Sequence, residues 1–349
     1  MKDKAKTILC MGAVAVLLAW TAHTILQEQT PGQLASALTG ANGWALLPAV
    51  PLMALFLCCE AAITHAVLRA LGCPQPFRRC VYYSGTGFFF STVTPSATGG
   101  QPAQVVAMKR DGVPAAAGTL DMLLVSIGYN TASMIWGVFA LCAAGGLTER
   151  LGGQVGLLVG LGLAIFALLD AAMILLLFLP GPARRLLYGA IALAARLFPS
   201  LDRTRLESLA ETHLAEYRRG ADLIRRSPAL LAQVVGLSVV QLGCSYAMPY
   251  VVYRAFGLSG FGPGELMALQ ALCAIAVGYL PLPGSAGAAE SVFLRGFRLI
   301  FGPGLVAPAM ILSRTLSCYL PLLATGGMLA AGRVLRRPDP ASPAARDAA

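Results

Sequence analysis

The chain has little charge and few of the residues from which soluble enzymes build catalytic centres. Only 12% of its 349 residues are charged, against about 25% in a typical soluble protein. The 3 histidines lack metal-ligand spacing on a helix. The 9 cysteines show no paired metal spacing either, and we expect them to be buried as small apolar residues. The sequence therefore predicts no metal site, no cofactor and no soluble-enzyme chemistry.

Long apolar sequence takes the place of charge. Hydrophobic residues make up 57% of the chain, and the mean hydropathy is +0.70. Several apolar runs reach about 20 residues, the length of a helix that crosses a bilayer. These runs are continuous, whereas the strands of a β-barrel would alternate apolar and polar residues. We therefore predict an all-α, polytopic integral membrane protein.

The distribution of lysine and arginine predicts the topology. The net charge is +10, and the basic residues cluster between the apolar runs, which is typical of cytoplasmic loops. Both termini are therefore expected in the cytoplasm of a bacterial inner membrane. Anionic phospholipid, and not nucleic acid, is the expected partner of this charge. About six full spans are predicted, at residues 7–26, 44–70, 114–145, 154–179, 229–256 and 305–332.

Residues 1–337 are predicted to form a single membrane domain, followed by a disordered tail at 338–349 that is rich in proline and alanine. Within this domain, residues 183–227 form the longest polar segment. Leu206, Leu209 and Ile224 follow helical spacing there, which predicts an amphipathic cytoplasmic helix on the membrane or on the helix bundle. The alternative is a plain solvated connector.

Two polar, glycine- and proline-rich stretches interrupt the apolar sequence, at residues 94–104 (TPSATGGQPAQ) and 280–290 (LPLPGSAGAAE). Inside a membrane, irregular backbone persists only where protein buries it or where it lines a wet cavity. Basic residues flank 81–108 on both sides, which favours a re-entrant hairpin or broken helix, although a full crossing is an alternative. Because the two breaks should have opposite orientations, the pattern suggests an inverted-repeat transporter.

The first break offers neutral hydrogen-bonding groups and glycines that permit close backbone approach. A helix beginning near Gln101 and Pro102 would direct its N–H groups at the break, where they could hold a phosphate. The alternative is a kink without a ligand. The predicted substrate-binding residues here are Thr94, Ser96, Thr98, Gly99, Gly100, Gln101 and Gln104.

The second break brings the charges. Arg295 and Arg298 are three residues apart and so share a helix face, and Glu290, eight residues before Arg298, is expected near the same stripe. Arg314 lies near the middle of the last span, where a charge must be paired or face a cavity, and Glu290 is its predicted partner. A salt bridge that merely locks two helices is the alternative. The predicted substrate-binding residues here are Pro283, Gly284, Gly287, Glu290, Arg295, Arg298 and Arg314.

Three further acids lie within the predicted spans: Glu60, Asp121 and Asp170. An ionisable side chain at membrane depth is costly and often functional, so these residues are candidates for a proton relay. The alternative is that each pairs with an arginine or with a backbone group.

Two motifs of the sequence resemble a known family. TPSATGGQPAQ at 94–104, followed by MKRDGV at 108–113, is the first, and YLPLPGSAGAAESVF at 279–293, followed by ILSRTLSCYLPLLATGG at 311–327, is the second. Together they resemble the lysylphosphatidylglycerol synthase transmembrane family, the flippase-like part of MprF-type proteins. Many relatives have an acidic residue where this chain has Gln101, so we expect no charge-dependent role at that position.

The resemblance implies a lipid flippase or transporter that handles a phospholipid such as phosphatidylglycerol or its lysyl derivative, with a contribution to resistance against cationic antimicrobial peptides. The C-terminal acyltransferase domain of MprF-type proteins is not found in this sequence, so the chain itself is not expected to be an enzyme. One alternative is a phosphatidylglycerol lysyltransferase or its membrane subunit. Another is a non-transporting scaffold for an envelope glycosyltransferase. A separately encoded acyltransferase or glycosyltransferase would then be a partner.

Overall fold

The computed structural model describes residues 31–94, 98–143, 153–178, 181, 185, 188–189, 221–222, 224–278 and 288–335. The described residues form helices and their connections, with no β-strand among them. The helices are α1 (Pro31–Gly40), α2 (Gly43–Leu46), α3 (Ala49–Ala70), α4 (Phe77–Val93), α5 (Gly100–Arg110), α6 (Ala115–Ala143), α7 (Gly153–Phe178), α8 (Pro228–Tyr246), α9 (Met248–Ala255), α10 (Pro263–Val277), α11 (Ala288–Phe301), α12 (Val306–Arg314) and α13 (Leu320–Leu335), with a π-helical turn at Thr315–Tyr319.

Five helical segments are long and apolar enough to cross a membrane, and each matches a predicted span. They are Gly43–Ala70, Ala115–Ala143, Leu157–Leu175, Pro228–Ala255 and Val306–Gly332. The all-α membrane fold is thus confirmed. The predicted span at 7–26, the tail at 338–349 and most of the connector at 183–227 lie outside the described residues.

The outer surface of the bundle is apolar, as lipid contact requires. Leu157 and Leu168 on α7 and Leu323 on α13 are at least 70% exposed. The interior packs α8 against α3 and α6, and Ile63, Leu124 and other apolar side chains of these helices form one buried cluster. Apolar side chains therefore lie on the outside as well as inside, which is the arrangement expected of helices in lipid.

The last turn of the connector joins this interior cluster. Ala221 and Ile224 are buried against it, while Asp222 and Arg225 are exposed and form an ion pair at 3.0 Å. This described end of the connector therefore has one buried and one exposed side.

Helices α4 and α5 form an antiparallel hairpin at the first break. A side chain on Gly100 would collide with Ser91, and one on Gly87 would collide with Gln104. At the open end, the Tyr83 hydroxyl donates to Asp111 Oδ2 at 2.7 Å. The contacts pair residue 91 with 100, residue 87 with 104 and residue 83 with 111, so the two helices run antiparallel away from the break. Their far ends therefore lie on the same side. The first break is therefore a helical hairpin, one of the two forms that the sequence favoured over a full crossing.

The second break lies between α10 and α11, which pack against each other. They have 15 and 14 residues, about 22 and 21 Å of helix, so neither spans the roughly 30 Å of hydrocarbon alone. The face of α11 that packs inward carries Phe293, Phe297 and Phe301 at four-residue intervals. The break itself, residues 279–287, lies outside the described residues.

Candidate functional site

A cavity of about 330 Å³ lies between the two interrupted elements. Ser91 and Thr92, in the last turn of α4, border it beside the first break. Gly278 and Ala289 border it on either side of the second break. Described residues that flank both predicted breaks therefore line one common cavity. The other residues that line this cavity are Phe88, Tyr129, Ser245, Met248, Pro249, Gln270, Cys273, Ala274, Val277, Phe293, Met310, Ser313, Arg314, Ser317 and Cys318.

Arg314 supplies the positive charge of the cavity. Its Nε lies 3.0 Å from Glu290 Oε1, and the two side chains are 24% and 4% exposed, respectively. The predicted ion pair between these residues is therefore confirmed. Arg314 Nη2 is buried and has no hydrogen-bond partner among the described residues. The guanidinium is thus anchored through one nitrogen while another is left for a further acceptor.

The backbone changes from α-helical to π-helical directly after this arginine. Helix α12 ends at Arg314, and the π-helical turn Thr315–Tyr319 follows before α13 begins. Ser317 and Cys318, within this turn, line the cavity. A π-turn widens the helix locally and often marks a functional position. Here it presents side chains of adjacent turns to one space.

Two buried oxygens among the lining residues also lack hydrogen-bond partners in the described part of the chain: Gln270 Oε1 and Ser313 Oγ. Native proteins rarely leave buried polar atoms unsatisfied, and such groups indicate a bound water, ion or ligand. Gln270 was not predicted as a site residue, although a long polar side chain within the apolar helix α10 was a usable signal.

The first hairpin contributes mainly through its own geometry. The Thr94 hydroxyl donates to Phe90 O at 2.6 Å and accepts from the Gly99 N–H at 2.9 Å, which closes the break. Helix α5 begins at Gly100, as predicted. Gly100 must lack a side chain because its Cβ position is 2.8 Å from Gly87 O. Thr94, Gly99 and Gly100 therefore shape the hairpin and are not among the cavity-lining residues.

Gln101 and Gln104 point to other helices and not into the cavity. The Gln101 amide donates to Ser126 Oγ on α6. The Gln104 amide donates to Glu60 Oε1 on α3 at 2.9 Å. Thr98 is exposed, and Ser96, Pro283, Gly284 and Gly287 lie outside the described residues. The ligand-binding role predicted for the glutamines thus gains no support from the cavity lining.

The two other predicted arginines lie away from the cavity. Arg295 and Arg298 are exposed, whereas Glu290 on the same helix is buried. Eight residues turn a helix by about 80° beyond two full turns. The prediction that Glu290 and Arg298 share one stripe of the helix is therefore wrong. The charge of the cavity comes from Arg314.

The buried acids separate into two places. Glu60 accepts hydrogen bonds from Gln104 at 2.9 Å and from Gln241 on α8 at 3.1 Å. Asp121 is fully buried beside Thr64 and is an electrostatic neighbour of Glu60. Asp170 on α7 instead accepts from Thr131 on α6 at 2.8 Å. No described histidine, cysteine or acidic residues cluster as metal ligands.

The fold and this cavity define a class: a polytopic helical membrane protein in which two interrupted helical elements border an internal cavity that contains a buried arginine nitrogen. The chain belongs to a specific family within that class, because the family model described as "Lysylphosphatidylglycerol synthase TM region" matches residues 8–325. The resemblance seen in the two sequence motifs is therefore confirmed. No curated protein matches the chain in a sequence comparison.

Proposed function

We propose that the protein moves a phospholipid across the membrane by binding its phosphate-containing headgroup in the cavity between the two breaks. The observation that carries this proposal is Arg314, whose Nη2 is buried without a partner at a cavity in the membrane domain. Cations at this depth are costly and are retained where they bind substrates or ions.

The polar atoms of the cavity complement a glycerophosphate headgroup. Arg314 Nη2 donates, which suits an anionic phosphate oxygen. Gln270 Oε1 accepts and Ser313 Oγ can do both, which suits the hydroxyls of glycerol or an ammonium group. A volume of about 330 Å³ is at the small end of ligand pockets. It suits a headgroup while the acyl chains stay in the surrounding lipid.

Glu290 gives the site its balance of charge. A lone buried arginine would hold an anion too tightly to release it, and Glu290 at 3.0 Å offsets part of its charge. A transport site has to bind and then release its substrate, so moderate affinity is required. The family supports a lipid-handling membrane protein, and phosphatidylglycerol or its lysyl derivative is the substrate class we propose.

The test is reconstitution of the full chain in liposomes with fluorescent phosphatidylglycerol, lysyl-phosphatidylglycerol and phosphatidylcholine. Movement between leaflets is followed by quenching of the outer-leaflet label. We expect faster movement of at least one anionic or lysylated lipid, lost in Arg314→Ala. Arg254→Ala is the matched control, because Arg254 is exposed and lies outside the cavity. Equal rates in wild type and Arg314→Ala for every lipid would refute the proposal.

A further inference from the structure

A second polar centre lies beside the cavity and contains two acids without a cation. Glu60 on α3 and Asp121 on α6 are electrostatic neighbours. Neither forms an ion pair with a described lysine, arginine or histidine. Two charges of the same sign at this depth would be strongly unfavourable. The pair therefore needs a bound cation, and a proton on one of the two carboxyl groups meets that need.

The hydrogen bonds around the two acids differ. Two amide groups, from Gln104 and Gln241, donate to the two oxygens of Glu60, which is what a carboxylate needs. Both oxygens of Asp121 are buried and accept no hydrogen bond of ordinary geometry from a described residue. A buried carboxylate that has the Thr64 hydroxyl beside it, in place of the two amide donors of Glu60, is far costlier than the same group carrying a hydrogen. The asymmetry indicates one proton for two carboxyl groups.

Unpartnered oxygens lie where such a proton would be held. The Thr64 hydroxyl is fully buried beside Asp121 and lies one helical turn from Glu60, and it has no partner of ordinary hydrogen-bond geometry. Gln104 Oε1 is also buried and unpartnered, while the amide nitrogen of the same side chain contacts Glu60. A hydroxyl can accept from one group while donating to another, so Thr64 can connect the two acids.

The pair lies between the cavity and one end of the bundle. Tyr129 lines the cavity and is an electrostatic neighbour of Glu60. Cys73, just after α3, and Cys80, in the first turn of α4, are the titratable neighbours of Asp121. The exposed Arg78 and Arg79 mark this end, which the charge distribution predicts to be cytoplasmic.

We propose that Glu60 and Asp121 share one exchangeable proton and pass it between the cavity and the end of the bundle at Cys73 and Cys80. The Asp121 carboxyl gives its proton to the Glu60 carboxylate through the Thr64 hydroxyl, Glu60 releases a proton toward the cavity, and Asp121 takes up another from the other side. The coupling of this proton movement to lipid transport rests on the proposed function. The sharing of one proton by Glu60 and Asp121 does not depend on that function.

Infrared difference spectroscopy of the full chain in nanodiscs tests the shared proton. The carbonyl band of protonated carboxyl groups is followed in a pH titration at constant Na⁺. We expect a band in the wild type that is lost in Asp121→Asn and kept in Asp170→Asn, the matched control with a hydroxyl donor of its own. Thr64→Val serves if Asp121→Asn does not fold, and should shift the band. A band unchanged by both variants overturns the proposal.

Liposome transport tests the coupling. If one proton moves with each lipid, a pH difference of one unit across the membrane should change the ratio of labelled lipid in the two leaflets by up to about tenfold. We expect this response in wild type and Asp170→Asn and its loss in Glu60→Gln. Transport that ignores the pH difference, or follows Na⁺ at constant pH, refutes the coupling. A carboxyl band without movement of any lipid would refute the transport function and leave the shared proton standing.

Discussion

Replacing Arg314 by lysine should separate the stability of the membrane domain from its affinity for a headgroup. Arg314 meets Glu290 through Nε at 3.0 Å, while Nη2 has no partner among the described residues. A guanidinium holds these two donors in a rigid plane, whereas lysine offers one compact ammonium on a flexible stem. We expect the ammonium to stay with Glu290, so that Arg314→Lys keeps the ion pair but loses the second donor.

The two losses have different sizes. A hydrogen bond from a charged donor contributes about 1.5–3 kcal/mol, so Arg314→Lys should weaken headgroup binding by about tenfold to a hundredfold. Arg314→Ala removes the cation whose Nε lies 3.0 Å from Glu290 Oε1, and Glu290 is just 4% exposed. Breaking a buried pair in this way costs about 3–5 kcal/mol. Because Arg314 is 24% exposed, we expect the lower end of that range.

Two measurements check this prediction. Calorimetric titration with a short-chain phosphatidylglycerol gives the affinity, and thermal unfolding followed by tryptophan fluorescence gives the relative stability of the same preparations. Arg254→Lys controls for the exchange of an exposed arginine that lies outside the cavity. Wild-type affinity in Arg314→Lys would refute the assignment of the ion pair to Nε and of headgroup binding to Nη2. A loss of stability as large as in Arg314→Ala would refute it too.

Three other substitutions test the hairpin and the position of the charge. Gly87→Ala should destabilise the protein by about 1–3 kcal/mol, because the new methyl group displaces Gln104. Gly236→Ala, which has open space around it, should be neutral or stabilising by up to about 1 kcal/mol. Thermal unfolding compares the two variants. Tyr83→Phe removes the 2.7 Å hydrogen bond to Asp111 and should cost about 1.5–3 kcal/mol, seen as faster hydrogen exchange at the base of α4 and α5. Arg295→Ala should leave headgroup affinity within twofold of wild type in the calorimetric titration, since Arg295 is exposed outside the cavity.

The sequence predicted the described membrane spans well because their signal is local. A run of about 20 apolar residues has few alternatives to a crossing helix, and the predicted spans at 44–70 and 229–256 differ from Gly43–Ala70 and Pro228–Ala255 by one residue at most. The pairing of Glu290 with Arg314 was also predictable, since opposite charges at membrane depth must find each other.

The orientation of side chains around each helix was harder to predict. Arg295 and Arg298 were placed with Glu290 by spacing alone, but the aromatic residues Phe293 and Phe297 of α11 pack inward and turn both arginines outward. Which face of a helix is buried depends on neighbours that are distant in sequence. In α11 the sequence does contain a periodic signal, since Phe293, Phe297 and Phe301 recur at four-residue intervals on the face opposite the arginines, and this pattern predicts the buried face better than the charge spacing does.

The small polar residues of the cavity could not be found for a different reason. The hydroxyls of Thr92 and Ser317 donate to carbonyl oxygens four residues earlier in their own helices, Phe88 and Ser313. A hydroxyl that satisfies itself in this way can face lipid, protein or a cavity at little cost. Only the three-dimensional arrangement distinguishes Thr92 from the other hydroxyl residues of the spans.

The missing side chain of Gly87 has a consequence beyond the hairpin. The space it leaves is filled by the side chain of Gln104, whose amide continues across to Glu60 on α3. Three helices therefore pack together at a position that contributes no side-chain atom to the contact. A substitution at residue 87 should therefore be felt first at Glu60, one helix further away, and compensating changes should be sought at residue 104 before any position adjacent in sequence.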